Sequence, residues 1–506
     1  MNPAACQRLA LGAAYFAVCL LFTGACGRTG AAAPAAVAPD LAPALDLNAD
    51  PHIFEMDLQA SETTAEYRLG QQTPVWAYNG SVPGPLVELA QGDTLSVHFH
   101  NNLPQNTTIH WHGIRLPNAM DGSLAVQNPL PPVGSFEYKF ALQDPGLYWF
   151  HPHHRSDEQT AKGMYGVILV RGANEPQSDF EHILVLDDAT LDAGGKLPTN
   201  LSDYHKMDEH QMFHGRSGPD ILVNGRVQRE IELQVGAIHR FRFLNAANLR
   251  VFNLRVPGHQ WRVIGSDGGF FEKPYDVNNL VIGPAERYDA LLIATGAVGD
   301  AVKLESDAFP RAEDDPQAAT SVCQFRLTGP ALSGRTLPTA LPGLMPARLP
   351  VPADGALPIE FDFGTTGGLQ DGKLPAMGPD PIPQLPGDPI FYINKHAGMD
   401  VPDLTFKLGE VRKFRIHNIS HQYHVFHLHG FFFQVVETDD LFDAKLNPFG
   451  LQPQLITQAQ KDTVAVREGY SVTVVARFDA LGTWMYHCHI PEHSERGMMA
   501  AIHVVP

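Results

Sequence analysis

Apolar and polar residues alternate with a period of two along much of this 506-residue chain. Leu95-Ser-Val-His-Phe-His100 and His239-Arg-Phe-Arg-Phe-Leu244 show it most plainly, and such alternation marks strands with one buried face. Helical periodicity is scarce. The strands recur in a frame. Tyr78-Asn-Gly80 leads through Pro83 to Gly92 and a strand ending at Asn101; Val223-Asn-Gly225 leads to Gly236 and a strand ending at Asn245. Ile393-Asn394 leads to Gly409 and a strand ending at Asn418, and in all three the closing Asn lies nine residues after the Gly. A unit written three times predicts an all-β chain of three Greek-key β-sandwiches.

Length agrees with three domains. The expected division is a signal peptide at 1–26, an Ala/Pro-rich tether at 27–50, and domains at 51–172, 173–345 and 346–506. Arg8, the apolar run Leu9 to Phe22 and the small residues Gly24, Ala25 and Cys26 read as an export signal. Thr23-Gly-Ala-Cys26 resembles a bacterial lipoprotein cleavage box, with Thr23 where an aliphatic residue is usual, so a periplasmic or cell-envelope location is expected, with either a lipid anchor at Cys26 or simple cleavage of the signal. The net charge of −19 argues against nucleic acid as a partner. Once Cys6, Cys19 and Cys26 are set aside, only Cys323 and Cys488 remain for the folded body. Two cysteines exclude a disulfide framework, and Cys323 reads as a buried apolar residue.

The repeat frame selects the histidines. Nine and eleven residues beyond Asn101 stand His110 and His112; at the same offsets beyond Asn418 stand His427 and His429. The middle unit has Leu254 and Val256 there, and His424, six beyond Asn418, is matched by Thr107 and Val251. Five residues after Gly146 comes His151-Pro-His153, and five after Gly482 comes His487-Cys-His489. Each His-x-His puts two imidazoles on one strand face. Four such pairs, two from each end of the chain, call for several metal ions where the first and third units meet, with the middle unit a metal-free spacer. Cys488 faces away from His487 and His489 and can build a second site with His493 and Met498. Thiolate, imidazole and thioether together favour copper, and a His₂Cys set with a weak axial Met is the blue-copper arrangement.

Carrying these four motifs, the chain resembles a multicopper oxidase of the three-domain bacterial laccase type from about Val75 to its C-terminus. The resemblance implies cupredoxin-like domains and four copper ions. One would be a blue copper on His424, Cys488 and His493 with Met498 axial. A second would sit on His110 and His427, and a coupled pair on His112, His151, His153, His429, His487 and His489. It implies that single electrons enter at the blue copper and pass through Cys488, and that dioxygen is reduced to water at the other three. The donor would be a phenol or aromatic amine, or cuprous ion in copper tolerance; a non-catalytic copper-binding envelope protein is the rival class. Asp121, nine residues after His112, matches a proton-delivering acid of the family, although an Asp-Gly turn explains it as well. Relatives often carry Glu directly after the last blue-copper histidine. Here Ser494 stands there and Glu495 is next, leaving Glu495 as the candidate second proton donor.

Other motifs get plainer readings. His98 and His100 fall out of frame and read as strand residues, and His154, His417, His421 and His503 miss the ligand positions. The tract His205-Lys-Met-Asp-Glu-His-Gln-Met-Phe-His214 could capture cuprous ion but is expected to be a polar surface loop. Met377, Met399 and Met485 are scattered through the third unit.

Overall fold

Strands dominate the computed structural model, which describes residues 41–199, 201, 204–341, 347–365, 385 and 387–506. The leader at 1–26 with its three cysteines, and Met377, lie outside the described residues. Among the described residues six sheets fall into three pairs, one for each repeat, and a short hairpin of Phe309–Ala312 with Asp315–Gln317 stands apart, so the all-β, three-sandwich expectation holds. In the first unit one sheet runs Thr73–Tyr78, Ile53–Ala65, Thr94–Asn101, Ser135–Ala141, and the other Leu86–Ala90, Gly166–Arg171, Gly146–His151, His110–His112. The third unit repeats both orders with one strand added at the far edge of each. Every unit has the same two parallel pairings. Ile53–Ala65 lies beside Thr94–Asn101, Phe180–Ala189 beside Ile238–Asn245, and Leu357–Thr365 beside Glu410–Asn418. The other set is Leu86–Ala90 with Gly166–Arg171, Glu230–Gln234 with Thr320–Thr328, and Leu404–Lys407 with Met499–Val505.

The repeated asparagines explain the repeat physically. Asn79, Asn224 and Asn394 adopt left-handed backbone, φ 48°, 50° and 52°, which Asn tolerates better than most residues. The carboxamide oxygen of each accepts from a backbone N–H of the neighbouring strand, at Gln59, Val185 and Glu360 (2.7–2.8 Å). The strand-closing asparagines do a second job. The Asn101 amide donates to the carbonyls of Gln105 and Leu130, Asn245 to Arg250 and Ile282, and Asn418 to Gln422 and Val466. Each thus fixes the loop that leads into the next strand, which begins at His110, Phe252 and His424 respectively.

Packing distinguishes the units. One buried apolar cluster runs from Met56 of the first unit to Val504 of the third, while the middle unit has its own core around Phe241, Trp261 and Phe325. Leu254 and Val256 belong to that core, so apolar side chains fill the places where the outer units hold imidazoles. Cys323 is buried there as expected. The tether needs correction at its end. Leu41 is buried, and Ala42 and Ala44 exchange backbone hydrogen bonds with Leu86 (2.8 and 2.7 Å), so the chain docks as an added edge by residue 42 rather than at 51.

Replacing Asn245 by Ala strands two carbonyls and the Ala247 N–H that its side chain engages. The cost is about 3 kcal/mol, read as a lower denaturation midpoint with copper content unchanged.

Candidate metal centre

Strand register assembles the site. His110–His112 runs antiparallel to Gly146–His151 with His110 opposite His151. His424–Leu428 runs antiparallel to Gly482–Cys488 with His427 opposite His487 and Phe426 opposite Cys488. Residues opposite one another share a sheet face, and alternation turns Cys488 away from His487. The glycine that follows His110-Trp-His112 has a reason. Gly113 sits at φ +83°, and a Cβ there would lie 2.5 Å from Arg287 Nη2 and 2.6 Å from Asp462 Oδ2.

Eight buried imidazoles converge between the outer units. His487 Nε2 lies 3.3 Å from His153 Nε2 and 3.0 Å from His429 Nε2. His110 Nε2 lies 3.4 Å from His427 Nε2. His112, His151 and His489 stand with ring centroids 4.8–5.7 Å apart. Their Nδ1, Nε2 and Nε2 atoms respectively are buried without a hydrogen-bond partner. Orphaned nitrogens are rare in a folded core, and neutral imidazole is the commonest metal ligand. The set fits metal ions.

The opposite ring nitrogens are held from behind, which fixes tautomer and orientation. His110 Nδ1 donates to the Asp121 carbonyl (2.9 Å), and His429 Nδ1 to Asp121 Oδ2 (3.0 Å). His427 Nδ1 donates to the Asp462 carbonyl (2.9 Å), His151 to Pro152 and His487 to Cys488 (2.9 and 2.8 Å). His112 is reversed, with Nε2 on Asp462 Oδ1 (3.0 Å) and Nδ1 facing inward. Burial, deepened by the neighbouring rings, holds His112, His151, His153, His427 and His489 well below the ordinary imidazole range. It takes His487 down to about 3 and His429 to about 4. Burial alone would raise the Asp121 carboxyl, but His429 and His110 outweigh it and hold the group ionised. Asp121 also makes the Asp-Gly turn: Gly122 sits at φ +73° against the Ile109 carbonyl.

On the other face of the strand, Cys488 Sγ lies 3.6 Å from both His424 Nδ1 and His493 Nδ1, which are 3.1 Å apart. Ser420 Oγ (2.8 Å) and the Phe213 carbonyl (3.3 Å) engage the far nitrogens of those rings. The Val425 N–H donates to Sγ (3.4 Å), and Phe391 stacks on His493 at 4.0 Å. Met498 is fully buried, tied by backbone to Cys488 and His493 (3.1 Å each). Burial pushes the Cys488 thiol up to about 12, so its thiolate requires a cation beside it.

One feature escaped the sequence, and another differs from its expectation. Asp462 is buried between His112 and a bidentate Arg287 (2.7 and 2.6 Å), and Arg287 also faces Asp267, itself paired with buried Lys461 (3.1 Å). Arg287 and Asp267 belong to the middle unit, so that unit braces the cluster and is more than a spacer. The one signal was Lys461-Asp-Thr463, three polar residues opening an apolar strand. The second is the His/Met tract. It is no loop: Tyr204–Lys206 is a 3₁₀ turn and Glu209–His214 a helix capped by Asp208. His214 is buried with its ring 4.5 Å from His210, and the Phe213 carbonyl engages His493. His98, in contrast, is the strand residue expected, between Glu55 and Glu137.

Near the cluster, a narrow cleft lined by His151, His153, His487 and His489 reaches Ser156 and Ser494. Glu495 accepts from the Ser156 N–H and hydroxyl (2.8 Å each), and burial with Asp157 nearby lifts its carboxyl to about 7.

Three family models described as multicopper oxidase match residues 59–175, 187–301 and 380–506. The chain belongs to the multicopper oxidase family. Multicopper oxidase MmcO of Mycobacterium tuberculosis is 30% identical over 466 residues, covering 83% of this chain and 81% of its own. A laccase of Bacillus stratosphericus is 26% identical, covering 86% and 91%. The solved multicopper oxidase of Campylobacter jejuni, described as a metallo-oxidase, superposes with TM-score 0.73 at 27% identity, over 93% of this chain and 96% of that one. The protein is accordingly a copper-dependent oxidoreductase with dioxygen as acceptor, built from cupredoxin-like domains.

Substituting Met for Arg287 leaves Asp462 buried and unpaired, at about 3–5 kcal/mol, and loosens the seat of His112. Copper retention against a chelator should fall about 10- to 100-fold. Acid acts on the empty site. The imidazoles of His424, His487 and His429, at about 3, 3 and 4 when folded, titrate near 6.5 once unfolded. The unfolded chain therefore binds more protons, and metal-free protein loses stability as pH falls from about 6.5 towards 4. Acid unfolding followed by intrinsic fluorescence, with and without copper, measures it.

Proposed function

We propose that the chain oxidises phenols or aromatic amines one electron at a time and reduces dioxygen to water with the four electrons collected. Four copper ions fit the donors. One is assigned to His424, Cys488 and His493 with Met498, one to His110 and His427, and a pair to His112, His151 and His489 and to His153, His429 and His487. Bound copper supplies the one-electron redox chemistry and the activation of dioxygen.

The observation that carries the reading is covalent. Cys488 belongs to one donor set, and its two peptide neighbours, His487 and His489, belong to the other. The electron path between them is one residue of backbone, shielded by a fully buried strand end. The chain's other residues supply orientation and protons. Asp121, ionised and bonded to His429, stands on one side of the cluster. Glu495 stands on the other, reaching through Ser156 the cleft that Ser156 and Ser494 line. No cluster histidine is missing, which speaks against a non-catalytic copper-binding protein.

One observation favours the second reading, oxidation of cuprous ion. The His/Met tract lies against His493 rather than out on a remote surface. His210 and His214 meet Asp315 (3.0 Å) and Asp314 (3.6 Å) in the segment whose Phe213 carbonyl engages His493, and Asp315 also pairs with Arg311 (2.6 Å). Oxygen uptake by copper-loaded protein separates the two. Uptake with a simple phenol, unchanged when His210 and Asp314 become Leu and Asn, supports the first reading. Uptake with cuprous ion alone, reduced at least tenfold by that double variant, replaces it with the second.

A further inference from the structure

A cavity of about 570 Å³ opens between the outer units. Thr483 and Met485 of strand Gly482–Cys488 line it, and alternation puts Cys488 on the opposite face. Its far wall belongs to the first unit and includes Leu124 and Gln127. We propose that this cavity binds a small neutral aromatic molecule bearing one oxygen, of the benzyl alcohol type, at a site separate from both metal clusters.

The volume lies in the range of small-molecule pockets, which are mainly apolar with a few placed polar groups. Met399, Met485 and Met499, far apart in sequence, all line it. Met499 pairs with His487, so it is the diagonal neighbour of Met485 on one sheet face. Thioethers adapt in shape and make favourable contacts with aromatic ring edges.

The polar groups choose the oxygen. Gln127 is 8% exposed. Its Oε1 accepts from the Tyr138 hydroxyl (3.0 Å), while its buried Nε2 has no hydrogen-bond partner. A buried donor lacking an acceptor is unfavourable, and turning the carboxamide toward the cavity that Gln127 lines brings it to a ligand oxygen. Across the cavity, His503 spends both ring nitrogens, on Thr483 Oγ1 (3.0 Å) and Asp403 Oδ2 (2.8 Å). Asp403 also lines the space and disfavours an anionic ligand. Cuprous ion suits thioethers too, but it needs no space of this size. Both nitrogens of His503 are engaged, and the Gln127 N–H groups repel a cation.

The test uses copper-loaded full-length protein titrated with benzyl alcohol and with toluene, with binding read by calorimetry and ligand-observed NMR. Benzyl alcohol binds saturably and at least tenfold more tightly than toluene. Gln127→Leu removes that preference. Ala501→Phe, which projects a ring into the cavity from its lining, weakens both ligands at least tenfold while copper content stays at the wild-type value. Absence of saturable binding overturns the proposal, as does benzyl alcohol affinity unaltered in Ala501→Phe. Cuprous ion saturating an extra site that Met485→Leu abolishes, with no competition from benzyl alcohol, assigns the cavity to metal instead.

Discussion

Neighbouring residues in a β-strand cannot share a face, and the organisation of this molecule follows from that. At the end of strand Gly482–Cys488, Cys488 serves one donor set while His487 and His489 serve the other. The two sets are forced to lie back to back, and their separation is set by a single pleat. Everything around them keeps that strand end in place: antiparallel pairing to His424–Leu428 on one side, to Met499–Val505 on the other, and an apolar cluster shared by both outer units.

The donors are costly as they stand. Burial favours neutral imidazole and neutral thiol, so converging lone pairs repel unless a cation stands among them, and hydrogen bonds to the second nitrogens of His110, His112, His151, His427, His429 and His487 hold those rings in place. The same logic extends one layer out. Asp462 can hold His112 only while Arg287 neutralises it, and Arg287 comes from the unit that carries no cluster ligand. A buried carboxylate, a guanidinium, a second carboxylate and a buried ammonium form an alternating chain of charges across the interface. Such a chain works only if it is complete, since any missing member strands its neighbour.

The sequence carried much of this in its spacing. The Gly-to-Asn interval located the strands, and counting from the Asn separated ligand histidines from His98 and His100, because strand register is a property of local chain order. What it could not carry was contact between units. Asp462 has no periodic partner, Arg287 lies 175 residues before it, and the helix Glu209–His214 reads as a polar stretch until His493 is set beside it. Likewise Met399, Met485 and Met499 look scattered because only the sandwich closure brings them to one wall. Local pattern encodes faces; the meeting of faces is encoded by nothing short of the whole fold.

The pairing of His110 with His427 spans 317 residues. His110, His112 and His151 already converge within the first unit, but the groups His110-His427-His429 and His153-His429-His487 each draw on both outer units. The complete cluster therefore forms only once both outer units are present. A chain that has formed only its first sandwich presents His110, His112, His151 and His153 without their counterparts. The pairings with His427, His429, His487 and His489 close only when the third sandwich docks, so a complete donor shell reports that two distant parts of the chain have met.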